Sequence, residues 1–275
     1  MKRTTIVALL FSLLLTACAG SGERAHQEAA QARLAKAEAM FQERCKTAGE
    51  FIYRTAENVE GVFLLKVRER SNFGDQYRMD DPYGHDSTGE DYLKGFFLEP
   101  MLHVNRNQSP EVLEKIRRNY QGFRYVEAID PRDGKRYRYT GSIKEVTSTT
   151  SITMGGDGKT QFKTKAFVLD KVPAPNPAPR YGVTYDDIST REERDYWIAG
   201  SSLKVIDLQT NEVMAERIGY MVDRGQGNKA GGRSPWLLAA NYACPRFPAD
   251  PGGHVYQTGQ TRKFVTKVLQ PIEEK

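Results

Sequence analysis

Three turns constrain this fold more than any other feature of the sequence. Asp130-Pro131-Arg132-Asp133-Gly134-Lys135 separates Tyr125 to Ile129 from Arg136 to Lys144. Gly155-Gly156-Asp157-Gly158 separates Ile143 to Thr153 from Gln161 to Leu169, and Gln209-Thr210-Asn211-Glu212 separates Leu203 to Leu208 from Val213 to Val222. The flanking segments have strand character, and the turns carry Pro, Asp-Gly or Asn, which accept the dihedrals of a tight reversal. Three hairpins in one chain favour antiparallel sheet over strand–helix–strand units. Phe51 to Thr55 and Val62 to Arg68 read as further strands, the run Val62-Phe63-Leu64-Leu65 suiting a central one.

Helical signals are mostly short. Ser109 can cap a helix from Pro110 to about Tyr120, Ser189 with Glu192 forms a capping box for a helix ending near Trp197, Ser234-Pro235 opens Trp236 to Ala243, and Thr261 to Leu269 precedes Pro271. The longer one is Ala-rich, about residues 25 to 48, with Ala30, Leu34, Ala37, Phe41, Cys45 and Ala48 on one face and Gly49 as its stop. The second half of that face, with Cys45, packs on the body or, as an alternative, the face meets a partner helix, although the pattern covers fewer than four heptads. The expected class is therefore α+β: an N-terminal amphipathic helix packed on a mainly antiparallel β-sheet with short helices. Pro173 to Pro179, with proline at alternate positions, is expected to run as extended polyproline II. It serves as a linker or as a rigid loop within one domain of residues 25 to 275, which is preferred.

Composition excludes several classes. With 39% hydrophobic and 27% charged residues and 12 Phe, 14 Tyr and 2 Trp, the chain is neither disordered nor collagen-like, and three cysteines do not make a disulfide-dense miniprotein. After residue 18 the longest apolar run is five residues, Trp236 to Ala240, far from the roughly 20 needed to span a bilayer.

Residues 1 to 18 have the order of an export signal: Lys2 and Arg3, an apolar stretch from Ile6 to Leu15 broken by Ser12, then Thr16-Ala17 before Cys18. Leu15-Thr16-Ala17-Cys18 resembles the lipobox of bacterial lipoproteins. The resemblance implies cleavage of residues 1 to 17, a diacylglyceryl thioether and N-acylation on Cys18, and residues 18 to 24 as a lipidated tether. Stable anchoring needs at least two acyl chains, which this modification supplies. Ala19, rather than Asp, follows Cys18, and the sorting rule of enteric bacteria then implies the outer membrane, facing the periplasm. The overall pattern is similar to proteobacterial lipoproteins without an established activity, so the resemblance brings none.

Removing Lys2 and Arg3 leaves 38 basic and 35 acidic residues, so the net charge falls from +5 to +3, and no nucleic-acid partner is expected. With Cys18 committed to lipid, Cys45 and Cys244 remain, 244 − 45 = 199 residues apart. In an oxidising envelope they form a disulfide or stay as two separately buried thiols. Neither has a second Cys or a His at metal-ligand spacing.

Two loops carry candidate chemistry. Asp80, Asp81, His85 and Asp86, followed by Glu90 and Asp91, bring oxygen donors and an imidazole together, which suits a divalent cation, although the spacing is not that of an EF-hand. Turn formation and solvated charge explain the same residues. Arg224, Lys229 and Arg233 lie on a glycine-rich loop that either contacts lipid phosphate or an acidic polymer or serves as a flexible connection. His26, His103 and His254 are scattered, and Trp236 and Tyr242 read as core anchors. The chain has no G-x-S-x-G or H-E-x-x-H; Ser201-Ser202-Leu203-Lys204 leads into a strand, and Gly158-Lys159-Thr160 lacks the first glycine of a phosphate loop. No cofactor is expected. The expectation is a non-enzymatic, lipid-anchored envelope component that binds an envelope protein or polymer; the alternative is a periplasmic metal-dependent hydrolase using the acidic loop at 80 to 91.

Overall fold

Each predicted turn closes its hairpin, and in the first two the turn side chains satisfy the backbone that they bend. In the Asp130 turn the carboxylate accepts from the Arg132 amide at 2.9 Å, and the Gly134 amide bonds back to the Asp130 carbonyl at 2.8 Å. In the second turn Asp157 accepts from the amides of Lys159 and Thr160, both at 2.8 Å. In the third, Asn211 has φ 58, the left-handed position anticipated for it. The computed structural model describes residues 2–78, 80–83, 87–98, 100, 105–119, 122–249, 253, 255 and 257–272, with backbone alone for 2–21 and 117–119.

The hairpins assemble one nine-stranded sheet. Strands β4 (Tyr125–Ile129), β5 (Arg136–Thr149) and β6 (Gln161–Pro173) form one antiparallel group. Strands β7 (Tyr181–Asp187), β8 (Ile198–Asp207) and β9 (Glu212–Val222) form another. Between them lies β3 (Gly61–Leu64), and here antiparallel expectation gives way, because β3 runs parallel to both β4 and β7. A short central strand reached by long connections from either side is free to take that direction. At the far edge β1 (Gly49–Ile52) pairs with β9, as does β10 (Ala243–Cys244). A separate parallel pair joins β2 (Ala56–Val59) to β11 (Leu269–Pro271).

Side chains alternate across β8, and the two faces are covered differently. On one face Leu203 and Val205 pack with Val62, Leu64, Val126 and Val183 beneath the helix Gln260–Val268, through Phe264, Val265 and Val268. The short helix Glu90–Lys94 and Phe96, Phe97 and Phe123 complete that core. The same face continues to Trp236, on the helix Pro235–Ala239, with ring centroids 4.9 Å from Trp197. On the opposite face the first helix, α1 (Lys2–Cys45), buries Ala37 and Phe41 against Ile198, Tyr220 and Val222. Burying a Phe side chain contributes about 2–3 kcal/mol, so Phe41 is its main attachment. Residues 22 to 33 are exposed, and contact with the body begins where Arg33 lies 4.8 Å from the centre of the Tyr196 ring. The predicted face is thus used only in its second half.

In chain order the helices are α1, α2 (Glu90–Lys94), α3 (Pro110–Asn119), α4 (Arg191–Asp195), α5 (Pro235–Ala239) and α6 (Gln260–Val268). Several boundaries differ from expectation. The capping box is Thr190 with Glu193, one residue on, while the Ser189 hydroxyl accepts from the Gly200 amide at 2.7 Å. α1 ends at Cys45 and Gly49 begins β1, because pairing of Gly49 with Ile218 takes over there. The arm β5–β6 is one continuous ribbon with thirteen consecutive register pairs, joining the two overlapping segments Arg136 to Lys144 and Ile143 to Thr153 into a single strand that ends at Thr149. β6 runs into Pro173 and the chain bends at Asn176 and Pro177, so Pro173 to Pro179 is not one polyproline rod; the strands on either side of it belong to the same sheet. Among the described residues no helix is long and apolar enough to cross a membrane.

Candidate functional site

The acidic loop is a set of internal ion pairs. Asp81 is buried, and Arg68 donates to its carboxylate at 2.8 Å and to its carbonyl at 3.1 Å, while the guanidinium stacks 3.8 Å from the Tyr185 ring centre. Asp80 accepts from Asn72 at 2.8 Å and pairs with Arg78 at 2.8 Å. Asp187 on β7 accepts from the Asp81 amide at 3.2 Å and pairs with Arg194, which is fully buried. Burial pulls the Arg194 guanidinium down to about 10, so it still carries its proton at neutral pH. A cation at Asp81 would therefore have to displace Arg68. His85, Asp86, His103 and His254 lie outside the described residues. Among the described residues no three His, Cys, Asp or Glu side chains converge on a metal position.

The basic loop is fastened in the same way. The Arg224 guanidinium bonds Glu38 on α1 and lies 4.0 Å from the centre of the Tyr242 ring. Arg233 donates to buried Asp223 at 2.8 Å, and Asp223 also accepts from the amides of Gly225 at 3.0 Å and Gly227 at 2.8 Å. Lys229 lies alongside Gly74. Two of the three cations considered for anion contact are thus held by carboxylates of the chain itself, one of them 186 residues away.

Cys45 and Cys244 are joined in a disulfide, with Cα atoms 5.6 Å apart. The bond ties the last residue of α1 to β10, beside β9. Ser201 and Lys204 are three residues apart on β8 and so face opposite sides of the sheet, which removes the serine–lysine arrangement.

The site that the sequence did not announce is a cavity of about 520 Å³. Tyr92, Phe96, Phe97, Pro100 and Pro248 form its apolar wall. Tyr92 and Phe96 meet edge to face, with ring centroids 5.6 Å apart, and Phe97 packs on Phe167 of β6 at 5.4 Å. Among the described residues, its charged lining is Lys94, Arg262, Lys263 and the carboxylate Asp91. Lys94 lies 3.6 Å from Asp91 and 3.4 Å from Glu90. Thr258 and Gly259 are the amino end of α6, whose first turn carries no acidic residue, so the positive end of its dipole borders the cavity. Because its walls belong to the Leu203–Val205 face, the cavity lies on the opposite side of the sheet from α1.

Size and lining decide what such a cavity does. The cleft is open to solvent and holds water against its apolar lining, and an apolar group that displaced this water would gain by burial. One signal was present in the sequence. Tyr92, Leu93, Phe96 and Phe97 recur at i, i+1, i+4 and i+5, a helical face of large apolar residues just after the acidic loop. Compared with protein-family models, curated proteins and solved structures, the chain matches none.

Proposed function

We propose that this chain is an outer-membrane lipoprotein, held by lipid on Cys18 and facing the periplasm, that works as a binding component of the envelope. Its binding site is the cavity between α2 and α6. The observation that carries this reading is the mainly apolar lining of that 520 Å³ cleft, a size and chemistry suited to holding an apolar group. The disulfide supports it too, since the bond fixes the anchored helix to the sheet whose far side forms the cavity. Nothing favours the hydrolase alternative, because Asp80 and Asp81 already hold Asn72, Arg78 and Arg68.

Two measurements test the two halves. Metabolic labelling with a palmitate analogue is expected to mark the wild-type chain and to miss Cys18→Ser, which also leaves the membrane fraction. For the cavity, the neutral fluorophore N-phenyl-1-naphthylamine is expected to brighten on binding the full chain held in phosphatidylcholine nanodiscs. Introducing a bulky side chain with Thr258→Trp is expected to remove that signal while the thermal transition is kept. Probe binding undiminished in Thr258→Trp would move the binding site elsewhere.

A further inference from the structure

We propose that two copies of this chain pack their β5–β6 arms face to face, side by side in one membrane. This rests on the anchoring at Cys18 proposed above. Past Tyr139, among the described residues, β5 has no partner but β6, and the ribbon from Thr140↔Asp170 to Thr149↔Gln161 continues for about 30 Å at roughly 3.3 Å per residue. An isolated two-stranded ribbon is marginal in water, so a covered face would steady it. Its two faces differ. One carries Glu145, Thr147, Thr149, Gln161, Lys163 and Lys165, all exposed, and burying it would cost their hydration. The other carries Val146, Ser148, Phe162, Thr164, Ala166 and Val168, with Phe162 47% exposed. Its two charged residues, Lys144 and Asp170, pair with each other, so this face has no net charge to repel its own copy. At the tip Ile152 and Met154 are 73% and 90% exposed. Among the described residues no helix lies over this face of the arm: α1 packs on β8 and β9, and α6 on the other side of the sheet.

Topology makes a second copy the occupant. β7 ends and β8 begins at the end of the sheet where α1 packs on Ile198. β3 and β4 run parallel to β7, so β5, antiparallel to β4, heads away from that end. Arg33 lies against Tyr196, just ahead of β8, so the exposed part of α1 leaves at the end opposite the arm. The arm thus points away from the bilayer that holds its own Cys18, and that bilayer does not cover it. A two-fold axis along the strands, set over the ribbon, brings the two apolar faces together with both α1 helices at one end, as two chains in one membrane require. Antiparallel pairing through the open edge of β6 would put them at opposite ends. The ribbon offers about 300 Å² of flat face, well below the roughly 800 Å² per partner of a standard interface, so the contact depends on confinement of both chains to one bilayer.

The test uses the full chain in vesicles of phosphatidylethanolamine and phosphatidylglycerol, with one added cysteine and a short bismaleimide that joins thiols across a close contact. Trapped dimer is expected for Ser148→Cys and Thr164→Cys, and about tenfold less for Thr147→Cys and Lys163→Cys, one position along each strand and on the opposite face. Adding Phe162→Asp to Ser148→Cys is expected to cut trapping about tenfold while the thermal transition is kept. Equal trapping at Ser148→Cys and Thr147→Cys overturns the pairing, as does insensitivity to Phe162→Asp. A blue shift of an environment-sensitive label on Ser148→Cys at one chain per vesicle assigns the face to lipid instead and overturns it too. Chain retained in the vesicles without trapping removes this inference alone, whereas chain lost from them removes the anchoring reading and this inference with it.

Discussion

The bond between Cys45 and Cys244 closes a loop of 199 residues, nearly the whole body of the protein, and its removal is the perturbation whose size is easiest to work out. In the chain-entropy treatment a crosslink removes freedom from the unfolded state as −2.1 − 1.5R ln n, which for this loop comes to about 5 kcal/mol at 25 °C. The folded state loses little else. Phe41 and Ala37 stay buried on β8 and β9, and Arg44 still bonds the nearly buried Glu193. The native spectrum of Cys45→Ser/Cys244→Ser is therefore expected to match wild type, while urea unfolding, followed by the fluorescence of Trp197 and Trp236, shifts. With an m-value of about 3 kcal/mol per molar urea, 5 kcal/mol lowers the midpoint by about 1.5 M. The same shift is expected on adding reductant to the wild type, and none on adding it to the double variant. A midpoint unchanged within about 0.2 M would refute loop closure as the source of stability. A shift of full size in the variant with none under reductant would show that the serines, not the lost crosslink, cause it.

Three further outcomes follow from particular contacts. Asp223→Ala leaves Arg233 without its carboxylate and frees the amides of Gly225 and Gly227, a loss of about 3 kcal/mol that calorimetry reads and that proteolysis within residues 224 to 233 should accompany. Gly219→Ala is expected to cost about 3 kcal/mol in the same measurement, since its Cβ would sit 1.9 Å from Cζ of the buried Tyr83 ring; wild-type stability there would deny that close approach. Arg180, and after it Arg54, holds the Asp207 carboxyl below the usual carboxylate range, and Arg132 with Lys171 does the same for Asp130. Because these folded-state values lie below the unfolded ones, their contribution is complete above pH about 4 and drains away as pH falls further. Urea midpoints should be level from pH 7 to 5 and drop below 4, with a smaller drop in Asp207→Asn.

The hairpins were legible because turn chemistry is local: Asp130 and Asp157 accept from amides two or three residues away, and Asn211 takes the left-handed turn position. The direction of β3 was not, since a four-residue strand takes its neighbours from segments some 60 and 120 residues downstream. The first helix was legible both as a face and in its second half, where Ala37, Phe41 and Cys45 meet the sheet. In the basic and acidic loops, Arg224 and Asp81 find Glu38 and Arg68 only after folding, so a cluster of one sign in the sequence says little about free charge in the structure. The cavity needed α2 to be recognised as a helix, and its five residues sit beside acids and glycines that read as loop.

The exposed part of α1 also has a mechanical meaning. With lipid on Cys18, fifteen residues of helix separate the bilayer surface from Arg33, a rigid strut of about 22 Å at 1.5 Å per residue. Beyond Arg33 the helix is fixed by Phe41 and by the covalent bond at Cys45, so any change in the strut is passed to the body as rotation about the helix axis. Each inserted residue turns the body by about 100° and raises it by about 1.5 Å. Two residues added between Gly22 and Gln31 would turn the body through about 200° relative to the Cys18 end of the helix, and four through about 400°, close to the starting phase.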